Sequence, residues 1–412
     1  MQYKSDLIKT LAGRGYLYQA TDIEGLDALA ARQTVTGYIG FDATASSLHV
    51  GSLVQIMMLR RLQQAGHTAI VLLGGGTTKI GDPSGKDSQR PVLTPEDIAA
   101  NKEGILKPFH ALLDMDKAIV VDNDAWLSEY SYLEFLREFG RHFTINRMLT
   151  FDSVKSRLDR EQPLTFLEFN YMLLQAVDFL ELNRARGCQL QLGGADQWGN
   201  IVNGVELCRR VDSAEAYGFT TPLITTASGV KMGKTADGAV WLNPDRLGPY
   251  QYWQFWRNTE DADVGRFLRL FTTLPMADIE RLERLEGSEI NEAKIALANA
   301  ATALLHGASA ASEAERAAQA VFGAGTSDDA LPTAEVPMET IRGGLLVAAA
   351  FAEAGLCQSN GEARRLIKQG AARVNDVVLS DQNAVLKESD ISDSGTIKLS
   401  AGKKRHALIR PV

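Results

Sequence analysis

The sequence predicts an α/β fold: a parallel-sheet domain over residues 1–246, an α-helical domain over 247–322, a linker at 323–344 and a small α+β domain over 345–412. Three observations carry this. Short apolar runs alternate with helical stretches in the first half, the period turns helical after Leu247, and the last 70 or so residues carry a helix-capping pattern and a hairpin signal.

Residues 34–41, 68–75, 117–121 and 188–194 are apolar, β-rich runs, each followed by a glycine-rich or polar loop. Between them Leu53, Ile56, Met57 and Leu62 keep helical spacing, as do Leu133, Leu136 and Phe139. Such alternation implies parallel strands joined by right-handed crossovers. Ligands of these sheets sit beyond the C-terminal strand ends, so the loops at 42–52, 74–90, 122–126 and 194–200 should surround one site. Tyr250, Trp253, Phe255, Trp256, Phe267, Leu268 and Phe271, followed by the alanine-rich stretch 293–321, predict helices. Ser359-Asn360-Gly361-Glu362 opens a further helix that should stop at Gly370. Asn375-Asp376 between two valine-containing runs predicts a tight hairpin turn.

Of the 412 residues 45% are hydrophobic and 23% charged, a globular composition with room for two or three domains. No basic start leads into an early apolar run, and no apolar stretch is long enough to cross a bilayer, so a soluble, cytoplasmic protein is expected. Cys188, Cys208 and Cys357 form neither a metal spacing nor a disulfide framework and are expected as buried thiols. The net charge of -8 argues against a protein that coats nucleic acid throughout. Residues 341–412, however, hold 11 Lys+Arg against 7 Asp+Glu, a basic tail on an acidic body that hints at local nucleic-acid contact.

Three elements suit phosphate. Residues 40–52 join the first strand to a helix, whose start offers free N–H groups; Thr44 and His49 would add donors there, while Gly40 and Gly51 allow close backbone approach. A turn rich in small residues, with His49 merely capping, is the alternative. Lys231-Met232-Gly233-Lys234-Thr235 is a cationic loop without the glycine spacing of a Walker P-loop. Residues 81–86, with Arg90 nearby, form the third; surface loops also contain such strings.

Together the three resemble a class I aminoacyl-tRNA synthetase, with 49–52 where that family has His-Ile-Gly-His and 231–235 where it has Lys-Met-Ser-Lys-Ser. Residues 167–179 (LEFNYMLLQAVDF) and 193–200 (GGADQWGN) are more specific and resemble tyrosyl-tRNA synthetases. The tail resembles the S-four-type RNA-binding domain that ends the bacterial members, so the resemblance spans essentially the whole chain. It implies a Rossmann-like catalytic domain, a helical anticodon-side domain and an RNA-binding domain.

The resemblance also implies roles. Residues matching Tyr38 and Asp178 hold the tyrosyl hydroxyl, those matching Asp82, Tyr171 and Gln175 the α-ammonium. Thr44 and His49 reach the γ-phosphate region, while Lys86, Arg90, Lys231, Lys234 and Thr235 close over the departing pyrophosphate. Asp42, Gly193, Asp196 and Gln197 position the adenylate ribose and the reacting carboxylate, with Gly40, Gly51 and Ser52 beside the nucleotide. ATP is the substrate and brings Mg²⁺. The chemistry of the residues agrees: Tyr171, Gln175 and Asp178 share a helix face, and an aspartate between Val177 and Phe179 needs a partner. A site built to pair a hydroxyl rejects the analogue lacking it, a rule for which this enzyme family is itself the usual example. The acidic cluster Asp42, Asp82, Asp178 and Asp196 also admits a metal reading, but an ammonium, a phenol and a ribose account for it.

The sequence departs from the family at Ser52, which replaces the second motif histidine, and in the Lys-Met-Gly-Lys-Thr form of the loop. Arg209 and Arg210 match positions facing the tRNA acceptor stem, or are solvated helix residues. Arg364, Arg365, Lys368 and Arg373 would track tRNA phosphates. Phe166 matches a homodimer-interface position, or is a core phenylalanine. A tryptophanyl-tRNA synthetase and a non-catalytic RNA-binding relative are the alternatives.

Overall fold

In a computed structural model, residues 2–84, 93–229, 232–235, 238–322, 331–392, 394–402 and 405–412 are described, by backbone alone at 153, 234, 235, 321 and 322. The larger sheet contains β1 (Gln19–Ala20), β2 (Thr36–Phe41), β3 (Thr68–Leu73), β4 (Ile119–Asp122), β5 (Leu190–Gly194) and β6 (Tyr217–Thr221) in the order β1-β6-β5-β2-β3-β4. Every pairing from β6 across to β4 is parallel, and only edge strand β1 is antiparallel. β3 and β4 lie on one side of β2, β5 and β6 on the other. The order therefore reverses between β2 and β5, where a crevice opens at the strand ends.

The four expected strands are present. β6 was not foreseen: Tyr-Gly-Phe-Thr-Thr has no apolar run, and it becomes a fully buried strand because β5 supplies its hydrogen-bond ladder. The Val50–Gln64 helix buries Leu53, Ile56, Met57 and Leu62 as their spacing predicts. The Tyr132–Glu138 helix also forms; Phe139, just past its end, is fully buried in the core, but Leu133 is 77% exposed, so the periodicity marks the core only in part. Tyr171–Arg186 ends at Gly187 in the left-handed conformation (φ 59°), a glycine C-cap. With Trp198–Asp212 it covers one sheet face, where Tyr38, Ile70, Leu72, Val177, Phe179 and Leu207 share a core.

The described chain divides into two compact units, 1–311 and 312–412. The first includes the helices Pro249–Arg257, Val264–Phe271 and Ile290–His306, which surround Tyr252, Trp253, Trp256, Phe267 and Phe271. Buried Arg14 and Arg61 tie Val264–Phe271 to the sheet domain by donating to the carbonyls at its C-terminal end, Arg14 to Arg269 O (3.0 Å) and both to Thr272 O. The change of sequence period at 247 thus falls inside one unit.

In the second unit, β9 (Thr333–Val336), β10 (Ala372–Val374), β11 (Val377–Val378), β12 (Ile397–Ala401) and β13 (Arg405–Pro411) form a sheet in the order β11-β10-β12-β13-β9. Asn375 and Asp376, both at positive φ, make the hairpin turn between β10 and β11. Ser359 caps the Asn360–Lys368 helix, and Phe351, Ile367, Leu399 and Ile409 join the core. The expected linker 323–344 is corrected over its described part. β9 pairs in parallel with β13, and Met338–Arg342 is helical. The partner strand lies some 75 residues away, so local sequence carries no signal for it; residues 323–330 lie outside the described residues. All three cysteines are buried, and none forms a disulfide among the described residues. No described helix is long and apolar enough to cross a membrane.

Candidate active site

A cavity of about 510 Å³ occupies the β2/β5 crevice. Tyr38, Gly40, Asp42, Thr44, His49, Gly51 and Ser52 line it from the first motif, and Asp82, Tyr171, Gln175, Asp178, Gly193, Asp196 and Gln197 line it from later segments.

Its deep end is built on strand interiors and one helix. Tyr38 and Gln191 are paired neighbours on β2 and β5, at 1% and 2% exposure. The Tyr38 hydroxyl and the Gln191 Oε1 are both buried without a hydrogen-bond partner among the described residues. The Tyr38 ring lies 5.3 Å from that of Phe179, and burial, then the nearby Asp178, push its hydroxyl well above the usual phenol range. Asp178 is 2% exposed; its two oxygens accept from Asn123 Nδ2 and Trp126 Nε1, each at 2.9 Å. Burial raises its pKa to about 7 even though those two donors pull the other way. The partners that Asp178 requires are therefore Asn123 and Trp126. Sequence reasoning placed their loop, 122–126, at the site but singled out neither residue. Gln191 was missed as well, although a glutamine within an apolar parallel strand was a usable signal.

Next comes a polar network. Tyr171 donates its hydroxyl to Asp42 Oδ2 (3.1 Å), and Thr77 donates to Asp42 Oδ1 (2.8 Å). Gln197 Nε2 donates to Asp82 Oδ2 (2.8 Å), and Asn200 Nδ2 donates to the side-chain oxygens of Gln175 (3.0 Å) and Gln197 (3.1 Å). Burial, with Asp42 adjacent, raises the Tyr171 hydroxyl well above its usual range and keeps it a donor. Four carboxylates, Asp42, Asp82, Asp178 and Asp196, line one cavity, an acceptor-rich surface that suits an ammonium.

At the other end, His49 caps the Val50–Gln64 helix, its Nδ1 accepting from Gly51 N (3.0 Å). The backbone of 48–50 pairs with 240–242: Val50 N donates to Val240 O (2.8 Å) and Leu242 N to Leu48 O (2.9 Å). This stitches the helix start to the stem of the hairpin formed by β7 (Lys234–Thr235) and β8 (Gly238–Ala239). Gly233 has φ +87°, and a Cβ there would stand 2.8 Å from His49 Nδ1 and 2.9 Å from Gly51 N, so only glycine fits. Lys86, Arg90 and Lys231 lie outside the described residues, and Lys234 and Thr235 are described by backbone alone.

Beyond the cavity, Arg209 and Arg210 both pair with Glu206 (2.9 and 3.3 Å), and Arg210 also donates to His142 O (2.6 Å). Phe166 is 67% exposed, which removes the core reading. Arg364, Arg365, Lys368 and Arg373 are all exposed.

A doubly wound sheet whose switch-point crevice joins a helix start, a cationic hairpin and an acidic pocket defines a class I synthetase. The family described as tRNA synthetases class I (W and Y) matches residues 30–323, and the chain belongs to it. A second family, the tyrosine–tRNA ligase SYY-like C-terminal domain, matches residues 328–409. A tyrosine–tRNA ligase of Caulobacter sp. (strain K31) is 60% identical over 414 residues, covering 100% of this chain and 99% of the relative. One of Rhodospirillum rubrum is 59% identical over 411 residues, covering 99% and 98%. A C-terminally truncated mitochondrial tyrosyl-tRNA synthetase of Aspergillus nidulans matches with a TM-score of 0.69 at 29% identity, over 77% of this chain and 94% of its own. The tryptophanyl-tRNA synthetase of Giardia lamblia matches at 0.55 and 15% identity, over 74% and 86%, and shares the fold alone. Within the class, the chain is a tyrosine–tRNA ligase: it activates L-tyrosine with ATP, releases pyrophosphate and transfers tyrosine to tRNA. Neither alternative is favoured.

Proposed function

We propose that the deep end of the cavity receives the tyrosine side chain and the helix-start end the ATP phosphates. One observation carries this: Tyr38 and Gln191 hold buried, unpartnered polar atoms beside Asp178. Such groups are costly unless a ligand satisfies them. A phenol both donates and accepts, so it donates a hydrogen bond to Asp178 and accepts one from the Tyr38 hydroxyl. Gln191 is the third polar group of this pocket. The α-ammonium lies against Asp82, Gln175 and Tyr171. Asp42, Gly193, Asp196 and Gln197 orient the ribose and the carboxylate that attacks the α-phosphorus. Thr44, His49, Lys86, Arg90, Lys231, Lys234 and Thr235 stabilise charge on the departing pyrophosphate, and Mg²⁺ arrives bound to ATP. No side chain attacks covalently; the catalysis is positioning and charge stabilisation.

The test is the Tyr38→Phe enzyme. Its specificity ratio for tyrosine over phenylalanine in pyrophosphate exchange should fall, since one hydrogen bond to the phenol is lost, roughly 1 kcal/mol. An unchanged ratio sinks the assignment.

The second unit is proposed to be the tRNA-tracking module, through Arg364, Arg365, Lys368 and Arg373, with Arg209 and Arg210 at the acceptor stem. Reversing the charge of Arg364 and Arg365 should flatten the salt dependence of tRNA binding and leave adenylate formation intact. A cytoplasmic homodimer completes the reading. It is supported by Phe166 and by exposed Tyr132, Leu133 and Ile145 between residues 132 and 166. Sedimentation of a Phe166→Asp variant as a dimer as stable as the parent would contradict that interface.

A further inference from the structure

Asn243 lies outside every motif, does not line the cavity and is 1% exposed. Its side-chain Nδ2 donates to two backbone carbonyls, Ser46 O (3.1 Å) and Gly104 O (2.9 Å). Its backbone N–H donates to the Ser47 hydroxyl (3.2 Å), which itself donates to Leu48 O (2.8 Å). One buried residue therefore joins three stretches of chain: the 42–49 segment with Thr44 and His49, the 240–243 stem leaving the cationic hairpin, and the Pro95–Leu112 helix. The opposite amide orientation would set the Asn243 oxygen against two carbonyl oxygens, so the pairing fixes the orientation.

The joint is tight. A Cβ at Gly104 would stand 2.1 Å from Ser46 O, so the helix and the 42–49 segment touch backbone to backbone. Asn101 Nδ2 holds Ala43 O (2.9 Å) one helical turn earlier, and the Thr78 hydroxyl accepts from Ala43 N (2.8 Å). On the outside, Lys107 pairs with Asp245 (3.1 Å) and Arg246 donates to the Ser46 hydroxyl (3.1 Å).

We propose that Asn243 is a positioning residue for adenylate formation: its amide sets the register between the His49 segment and the stem of the lysine-bearing hairpin, using the Pro95–Leu112 helix as the fixed support. Groups that stabilise a transition state act only within a narrow geometry, so a small shift between residues 46–49 and the stem lowers the rate while the phenol end of the tyrosine pocket, built on β2, β5 and the Tyr171–Arg186 helix, stays intact. The proposal rests on the phosphate-end assignment given above.

Two variants test it. Asn243→Asp keeps the shape and replaces both donated hydrogens with a carboxylate facing carbonyl oxygens. Gly104→Ala keeps the Asn243 side chain but forces its two acceptors, Gly104 O and Ser46 O, apart by pushing Ser46 off the helix; alanine is otherwise the better helix former. In single-turnover assays each should slow tyrosyl-adenylate formation at least tenfold, slow its reversal by pyrophosphate by the same factor, and leave equilibrium tyrosine binding within twofold. Rates within twofold of the parent in both variants overturn the proposal, as does loss of tyrosine binding in step with the rate. If Asn243→Asp does not fold, Gly104→Ala decides alone by the same readings. His49→Ala runs alongside: a slow His49→Ala with normal Asn243 and Gly104 variants removes only the positioning role, whereas a normal His49→Ala removes the phosphate-end assignment itself.

Discussion

The two ends of the cavity are built differently. At the end proposed for tyrosine, Tyr38 and Gln191 project from paired strands and Asp178 from a four-turn helix, and Asn123 and Trp126 hold the carboxylate. At the end proposed for the phosphates, the described groups sit on a helix start and a hairpin stem, held by backbone pairing and glycine contacts. A recognition pocket must reject a near-isostere, which requires buried polar groups at fixed positions. Charge that matters only during phosphoryl transfer needs donors brought to the right place at the right moment. The first demand is met by regular structure, the second by segments whose register is set from outside.

The largest effect should come from breaking the tyrosine end. Asp178→Ala leaves the Asn123 and Trp126 donors buried without an acceptor and takes away the phenol's partner. Hydrogen bonds to a charged group are worth roughly 1.5–3 kcal/mol each, and buried donors left without an acceptor add to the loss, so kcat/KM for tyrosine in pyrophosphate exchange should fall about a thousandfold. A loss under tenfold would mean that the two ends do not differ as described.

At the phosphate end, His49→Ala and Lys234→Ala should lower the single-turnover rate of adenylate formation about a hundredfold, a typical cost of removing one transition-state donor. Tyrosine affinity should hardly change. Weaker tyrosine binding at an unchanged maximal rate would reverse the assignment of the ends.

A smaller effect separates the two by pH. The Asp178 pKa in the ligand-free protein is raised from 3.8 to about 7, chiefly by burial. Ionised Asp178 is the better acceptor for the phenol, so tyrosine affinity should weaken as pH drops below about 7, by at most about tenfold per pH unit. Asp178→Asn should abolish that slope. On stability the same shift has the opposite sign. The folded value lies above the ordinary one, so the contribution is complete below about pH 4 and is lost as pH rises through about 7. Tyrosine binding titrated across this range by fluorescence and calorimetry checks the first; thermal melts of the ligand-free protein check the second.

The contrast also explains what could be read in advance. Tyr171, Gln175 and Asp178 were legible because a helix converts spacing directly into a shared face. The 40–52 segment was legible because a strand, a glycine-containing turn and a histidine at a helix start form one local pattern. Asn123, Trp126 and Gln191 were not, since each matters through a residue 52 or more positions away or through an orphaned atom that only burial reveals. β9 was read as linker because its only strand partner among the described residues is β13, and β6 was missed because β5 supplies what its own residues lack.

By itself, the sequence determined the class of fold, the family and most of the polar residues that line the cavity, because periodicity, capping residues and contiguous motifs are local properties of the chain. Tertiary structure alone decided that the strand order reverses between β2 and β5, that Asp178 is held by Asn123 and Trp126, and that Asn243 ties the His49 segment to the hairpin stem. Each of these is a contact between segments remote in sequence, made by hydrogen bonds or strand pairing whose geometry exists only once the chain has folded.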